Sequence, residues 1–139
     1  MDLSNLNFLA IIVGGLLAWG FGSLWYSPLL FSKAWQTESG MTDDDLKDAN
    51  MAKIFGGSFV LMIIMSFGMA ILLRGHDDPA EITLQTGIMH GLYVGIMFVA
   101  TSIGINQLYQ RKSLKLFFID AGYQIIMLMI MGAVIGAWA

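Results

Sequence analysis

Two stretches place groups capable of chemistry inside otherwise apolar sequence, LQTGIMHGLYVG (84–95) and LFFIDAGYQIIM (116–127). The first carries His90, whose imidazole can exchange a proton or ligate a metal. The second carries Asp120, and a carboxylate within an apolar span is costly enough to mark a pathway or a partner by default. Thr83, Thr86, His90, Tyr93 and Met97 recur at steps of three and four, as do Asp120, Tyr123, Gln124 and Met127, so each set shares one helix face. Thr101, Ser102, Asn106, Asp120 and Tyr123 would make a wet vestibule if they met, and transport would then be favoured. The sharper chemistries find little support. Zinc needs three or four ligands, yet there is no cysteine and the only other histidine is His76, in a loop. Asp43, Asp44 and Asp45 after Thr42 suit the first turn of a capped helix, and calcium-loop spacing is absent. No Ser-His-acid set is legible, and Gly14-Gly15 and Gly56-Gly57 lie inside apolar runs rather than in a phosphate loop. No enzyme activity, cofactor or metal is therefore expected. His90 is expected to be satisfied by a neighbour, with a proton or metal site as the alternative. Asp120 lies about one turn beyond Lys115. It is expected to meet the helix dipole, to pair with Lys53 or Arg111, or to sit in wet headgroups, with a transport or ligand role as the alternative.

The elements that would carry these groups are membrane helices. Of 139 residues, 57% are hydrophobic and only 12% charged, against about 25% charged in soluble domains. A globule this small cannot be wetted by so little charge. Four apolar segments, about 6–26, 54–73, 82–109 and 116–138, each reach the length of roughly 20 residues that a membrane-crossing helix needs. The fold expected is all-α: one transmembrane domain over residues 1–139, an integral membrane four-helix bundle. The first segment lacks a basic flank and a cleavage site, so it is expected to stay as a span.

Lys33, Lys47, Lys53, Arg111, Lys112 and Lys115 flank the first and third loops, and Arg74 alone lies on the other side. The positive-inside rule then puts the 27–53 loop in the cytoplasm and both termini outside. Trp25, Tyr26, Trp35 and Trp138 are expected as interfacial anchors. Ser27 could cap, and Pro28 could begin, a short interfacial helix over about 28–36 with Leu30, Phe31, Ala34 and Trp35 on one face. The basic cluster is explained by topology, so nucleic acid is not an expected partner.

Gly87, Gly91 and Gly95 repeat at spacing four, as do Gly14, Ala18 and Gly22, while Gly132 and Gly136 lie on another face of the last helix from Asp120. Such spacing lets backbones approach closely, within a subunit or between subunits. Met89, Leu92, Ile96 and Ile103 would face lipid. GSFVLMIIMSFG (57–68) also aligns with AGYQIIMLMIMG (121–132), as a parallel repeat would.

The segments LWYSPLLFSKAW, GMTDDDLKDANMAKIFGGSF and LKLFFIDAGYQ together resemble a bacterial membrane family known as domain of unknown function 1761, in the same order and over nearly the whole chain. The resemblance implies four membrane helices and no particular activity. The expected function is an oligomeric structural or accessory membrane protein packing through its glycine faces. It would contact membrane lipid, other copies of itself and another membrane protein. The alternative is a homo-oligomeric transporter or channel.

Overall fold

A computed structural model describes residues 3, 5–75 and 78–139, so Asp2, His76 and Asp77 lie outside the described residues. Helix α1 spans Phe8–Trp25, α2 Ser32–Ser39, α3 Asp43–Lys47, α4 Met51–Leu73, α5 Leu84–Tyr109 and α6 Leu114–Ala137. Four of them, α1, α4, α5 and α6, are long and apolar enough to cross a membrane. There are no strands among the described residues.

Each long helix starts where a polar side chain can accept the otherwise unsatisfied first-turn N–H groups. Asn7 accepts from Ala10, Asn50 from Lys53, Thr83 from Thr86 and Ser113 from Leu116. Thr42 and Asp45 form a reciprocal capping box on α3, where the acidic run was expected to begin a helix. The expected start of the short helix is corrected. Ser27 and Pro28 sit in a turn, in which the Ser27 hydroxyl donates back to the Leu24 carbonyl at 2.7 Å. The Leu30 and Ser32 amides both close on the Ser27 carbonyl, so regular helix begins only at Ser32. Gly40 ends it with φ +77°, in the left-handed region that favours glycine.

The four long helices alternate in direction. At one end Asn7 Nδ2 donates to the Trp138 carbonyl at 2.8 Å, and the Arg74 guanidinium donates to the Asn5 carbonyl. At the other end Lys112 Nζ donates to the Ser39 carbonyl at 3.1 Å. Asn5, Asn7, Arg74 and Trp138 thus share one end, and the loops at 26–50 and 110–113 share the opposite end.

Helix α6 is the hub, packed on α1, α4 and α5 and touched by α2. Its contact with α5 is the tightest. A Cβ on Gly87 would run into the Gly132 carbonyl, one on Gly91 into that of Leu128, and one on Gly136 into that of Thr83. Only hydrogen atoms fit between these backbones. Gly14 lies where a Cβ would come 3.2 Å from Ser66 Oγ. The core at the termini end is apolar, built from Leu6, Ala10, Ile11, Met69, Leu73, Met131 and Ile135. Ser66 within it is fully buried and donates to the Ile11 carbonyl at 2.7 Å. The first turns of α4 do not join this packing. Residues 51–57 are exposed, and nothing lies within 4 Å of a Cβ at Gly56 or Gly57.

Inside α5 the backbone widens to a π-helix over Gly95–Ala100. At 3.6 residues per turn the glycine face 87–91–95 would continue through Ser102 and Asn106. A π-turn takes up about one extra residue, so the inward face resumes at Ala100, Ile103, Gly104 and Gln107. Gly95 meets the Ile125 backbone where this happens, at 2.9 Å from its own Cβ position.

Candidate functional site

Asp120 lies in the second turn of α6, facing the junction of α1 and α2. Tyr26 Oη donates to Asp120 Oδ1 at 2.8 Å, and Gln107 Nε2 donates to Oδ2 at 2.9 Å. The Trp35 indole, packed edge-on to Tyr26 at 6.0 Å, approaches the same carboxylate. Every one of these partners is neutral. The expected pairing with Lys53 or Arg111 is therefore corrected: both cations are exposed, and the carboxylate is held by a phenol, an amide and an indole drawn from α1, α2 and α5. Donors from three elements converge on this one carboxyl group, so the cluster ties those elements to α6.

The aromatic residues around it act inward. Trp25 is half-buried, donates from Nε1 to the Ile119 carbonyl at 3.0 Å, and packs on Phe31 at 4.6 Å. Tyr26 meets Tyr123 edge-on at 5.3 Å. Trp138 alone of the four expected anchors is exposed. Tyr123 is buried, with its hydroxyl donating to the Ala18 carbonyl at 3.3 Å. That hydroxyl occupies the space Gly22 leaves, only 2.6 Å from where a Cβ would stand.

Above Tyr26 and Tyr123 a cleft of about 440 Å³ opens between α1, α4 and α6. Trp19, Phe55 and Met62 wall it, Ser23 and Ser58 add hydroxyls, and Gln124 lines it one turn along from Asp120. The exposed start of α4 borders this cleft through Ile54 and Phe55. Gln124 Oε1 is buried and has no hydrogen-bond partner, and the same is true of Gln107 Oε1. An unpaired buried acceptor is costly and calls for a specific explanation.

The expected vestibule forms only in part. Asp120 and Tyr123 come together with Tyr26, but Thr101, Ser102 and Asn106 are exposed on the outside of α5. Thr101 spends its hydroxyl on the Met97 carbonyl at 2.8 Å. The expected inward stripe also ends early, because Tyr93 and Met97 are 55% and 63% exposed. Of the residues expected to face lipid, Met89 and Ile96 are exposed, whereas Leu92 and Ile103 are half-buried. His90 is half-buried and shares a hydrogen bond of 2.8 Å with the Thr86 carbonyl through Nδ1. Gln107, Ser23 and Ser58 escaped the sequence reading. Gln107 could have been noticed as a polar residue near the basic end of its span, but its inward placement depends on the π-turn. Among the described residues no cluster of three His, Cys, Asp or Glu side chains could hold a metal ion.

An all-helical chain with four such spans and a polar cluster buried at one end has the build of a multi-pass membrane protein. The chain belongs to the family described as protein of unknown function (DUF1761), whose model matches residues 9–136. No curated protein and no solved structure matches it.

Proposed function

We propose that this chain is a non-enzymatic accessory protein of the bacterial inner membrane, with both termini outside, that holds a membrane-resident molecule in the cleft between α1, α4 and α6. The observation that carries the proposal is that the cleft is one-sided. Its polar groups lie toward the 26–50 and 110–113 loops, and the apolar core of Ile11, Met69, Met131 and Ile135 closes the other half of the bundle. A binding site can end this way, whereas a conduit through one chain cannot. The glycine faces are used up inside the chain. Association with further copies would therefore use other surfaces, such as the exposed start of α4.

Transport keeps one observation in its favour, an intramembrane carboxylate whose partners are all neutral. Vesicles containing the protein and a pH- or cation-sensitive dye separate the two. The binding role expects no flux above that of empty vesicles, and lipid or another ligand retained through purification in mild detergent. A flux that scales with inserted protein and disappears when Ser23→Trp fills the cleft would replace it with transport.

A further inference from the structure

The chemistry of the cleft points to one class of ligand, an inference that rests on the binding role proposed above. The volume, about 440 Å³, lies within the roughly 300–1,000 Å³ of small-molecule sites. Most of its hydroxyl protons are already spent. Tyr26 donates to Asp120, Tyr123 to the Ala18 carbonyl, and Ser58 to the Phe55 carbonyl at 3.0 Å while accepting from Trp19 Nε1 at 3.1 Å. These groups still offer lone pairs. Gln124 lines the cleft with its oxygen buried and without a donor, and because the terminal torsion of a glutamine is broad, a half-turn of the amide would exchange that oxygen with the nitrogen at the cleft.

Charge and shape narrow the choice. Behind Tyr26, one hydrogen bond away, stands a carboxylate with no cationic partner. An anion would be disfavoured beside that acidic group, and a neutral alcohol would offer it no counter-charge. A cation that carries N–H groups satisfies both demands. The rings of Trp19, Phe55, Tyr26 and Tyr123 line the cleft, and aromatic rings attract cations, while Ile54 and Met62 offer an apolar track for a chain. We propose that the cleft binds a lipophilic primary ammonium, with its N–H groups on Gln124 Oε1 and the Tyr26 oxygen beside Asp120 and its apolar body along α4. The ammonium could belong to an aminophospholipid headgroup or to a free long-chain amine.

The test uses the full chain in nanodiscs of phosphatidylcholine, whose headgroup has no N–H. Labelled dodecylamine is titrated at neutral pH and corrected with empty nanodiscs. Saturable binding is expected. Asp120→Asn and Gln124→Leu should each weaken it about tenfold or more, as expected for loss of a hydrogen bond or contact to a charged group. Thermal melts show whether each variant is folded, and having two variants keeps the test decisive if one is not. Dodecanol should compete poorly. Adding phosphatidylethanolamine to the nanodisc then tells the two sources apart: loss of dodecylamine binding assigns the site to the lipid headgroup, and retention assigns it to a free amine. Equal competition by dodecanol, or binding unchanged in both folded variants, would overturn the ammonium and leave the one-sided cleft standing. Absence of saturable binding by dodecylamine and dodecanol alike would overturn both.

Discussion

The closest approach in the molecule, between α5 and α6, makes a severe test with a single carbon atom. At Gly91 an added Cβ would meet the Leu128 carbonyl, with the Leu128 carbonyl carbon at 2.6 Å and Met129 Cα at 2.7 Å. These are backbone atoms and cannot rotate away. Ordinary carbon contacts lie at about 3.5–4.0 Å, so the helices must part by about 1 Å. Overpacking of this kind costs about 1–3 kcal/mol. Parting also loosens the neighbouring contacts at Gly87 and Gly136. Against this, alanine favours a helix over glycine by about 1 kcal/mol. Gly91→Ala should therefore be net destabilising by up to about 2 kcal/mol. Gly56→Ala supplies the control, because nothing lies within 4 Å of its Cβ position. It should be neutral or more stable by up to about 1 kcal/mol. Thermal unfolding in mild detergent, with mass measured by light scattering below the transition, reads both effects. The contact lies within one chain, so Gly91→Ala should lower the melting temperature without changing the mass of the folded particle. Equal melting of the two variants, or loss of an oligomer from an otherwise folded Gly91→Ala protein, would refute the packing argument.

Asp120→Asn should cost no more than about 1 kcal/mol, because Gln107 can turn its unpartnered oxygen toward the new amide. Asp120→Ala should cost about 1–3 kcal/mol, since it leaves Tyr26 and Gln107 donors without an acceptor; denaturation midpoints that rank the two equally would count against the cluster. In α5, Gln107→Leu should destabilise by about 1–3 kcal/mol and Asn106→Leu by almost nothing, and the reverse order would show that the π-turn does not set the inward face. Hydrogen bonds from the Thr42 backbone and hydroxyl hold the Asp45 carboxyl below its ordinary value. The folded pKa is depressed, so the capping box contributes above the unfolded carboxylate value of about 4 and is lost as the pH falls through the folded one. Protection of the α3 amides, corrected for the intrinsic pH dependence of exchange, should accordingly fall at acid pH in the unmodified protein and show no such step in Asp45→Asn. A reporter fused after Ala139 should work only if it is one that functions outside the cytoplasm; activity of a cytoplasm-dependent reporter there would reverse the proposed orientation.

What the sequence determined by itself is the part that physics writes locally. Uncharged runs of about 20 residues must be membrane-length helices, because no other use of them satisfies the backbone. Polar residues placed before Phe8, Met51, Leu84 and Leu114 cap those helices, and short loops make neighbours antiparallel. Family membership was legible for the same reason, being carried by contiguous segments. Which glycine meets which backbone was not legible, since spacing marks a face but not its partner. Gly87, Gly91 and Gly95 found α6 of the same chain. The partners of Asp120 were hidden more deeply. Tyr26 and Trp35 come from far earlier in the chain, Tyr26 by 94 residues, and the remaining partner from 13 residues earlier. The latter is Gln107 rather than Asn106 only because packing of Gly95 against Ile125 coincides with a π-turn that adds a residue to the helix. A periodicity of 3.6 assumes a uniform helix. Where tertiary contact breaks that uniformity, every side chain beyond the break is rotated by about one residue, and only the folded structure shows which of them turn inward.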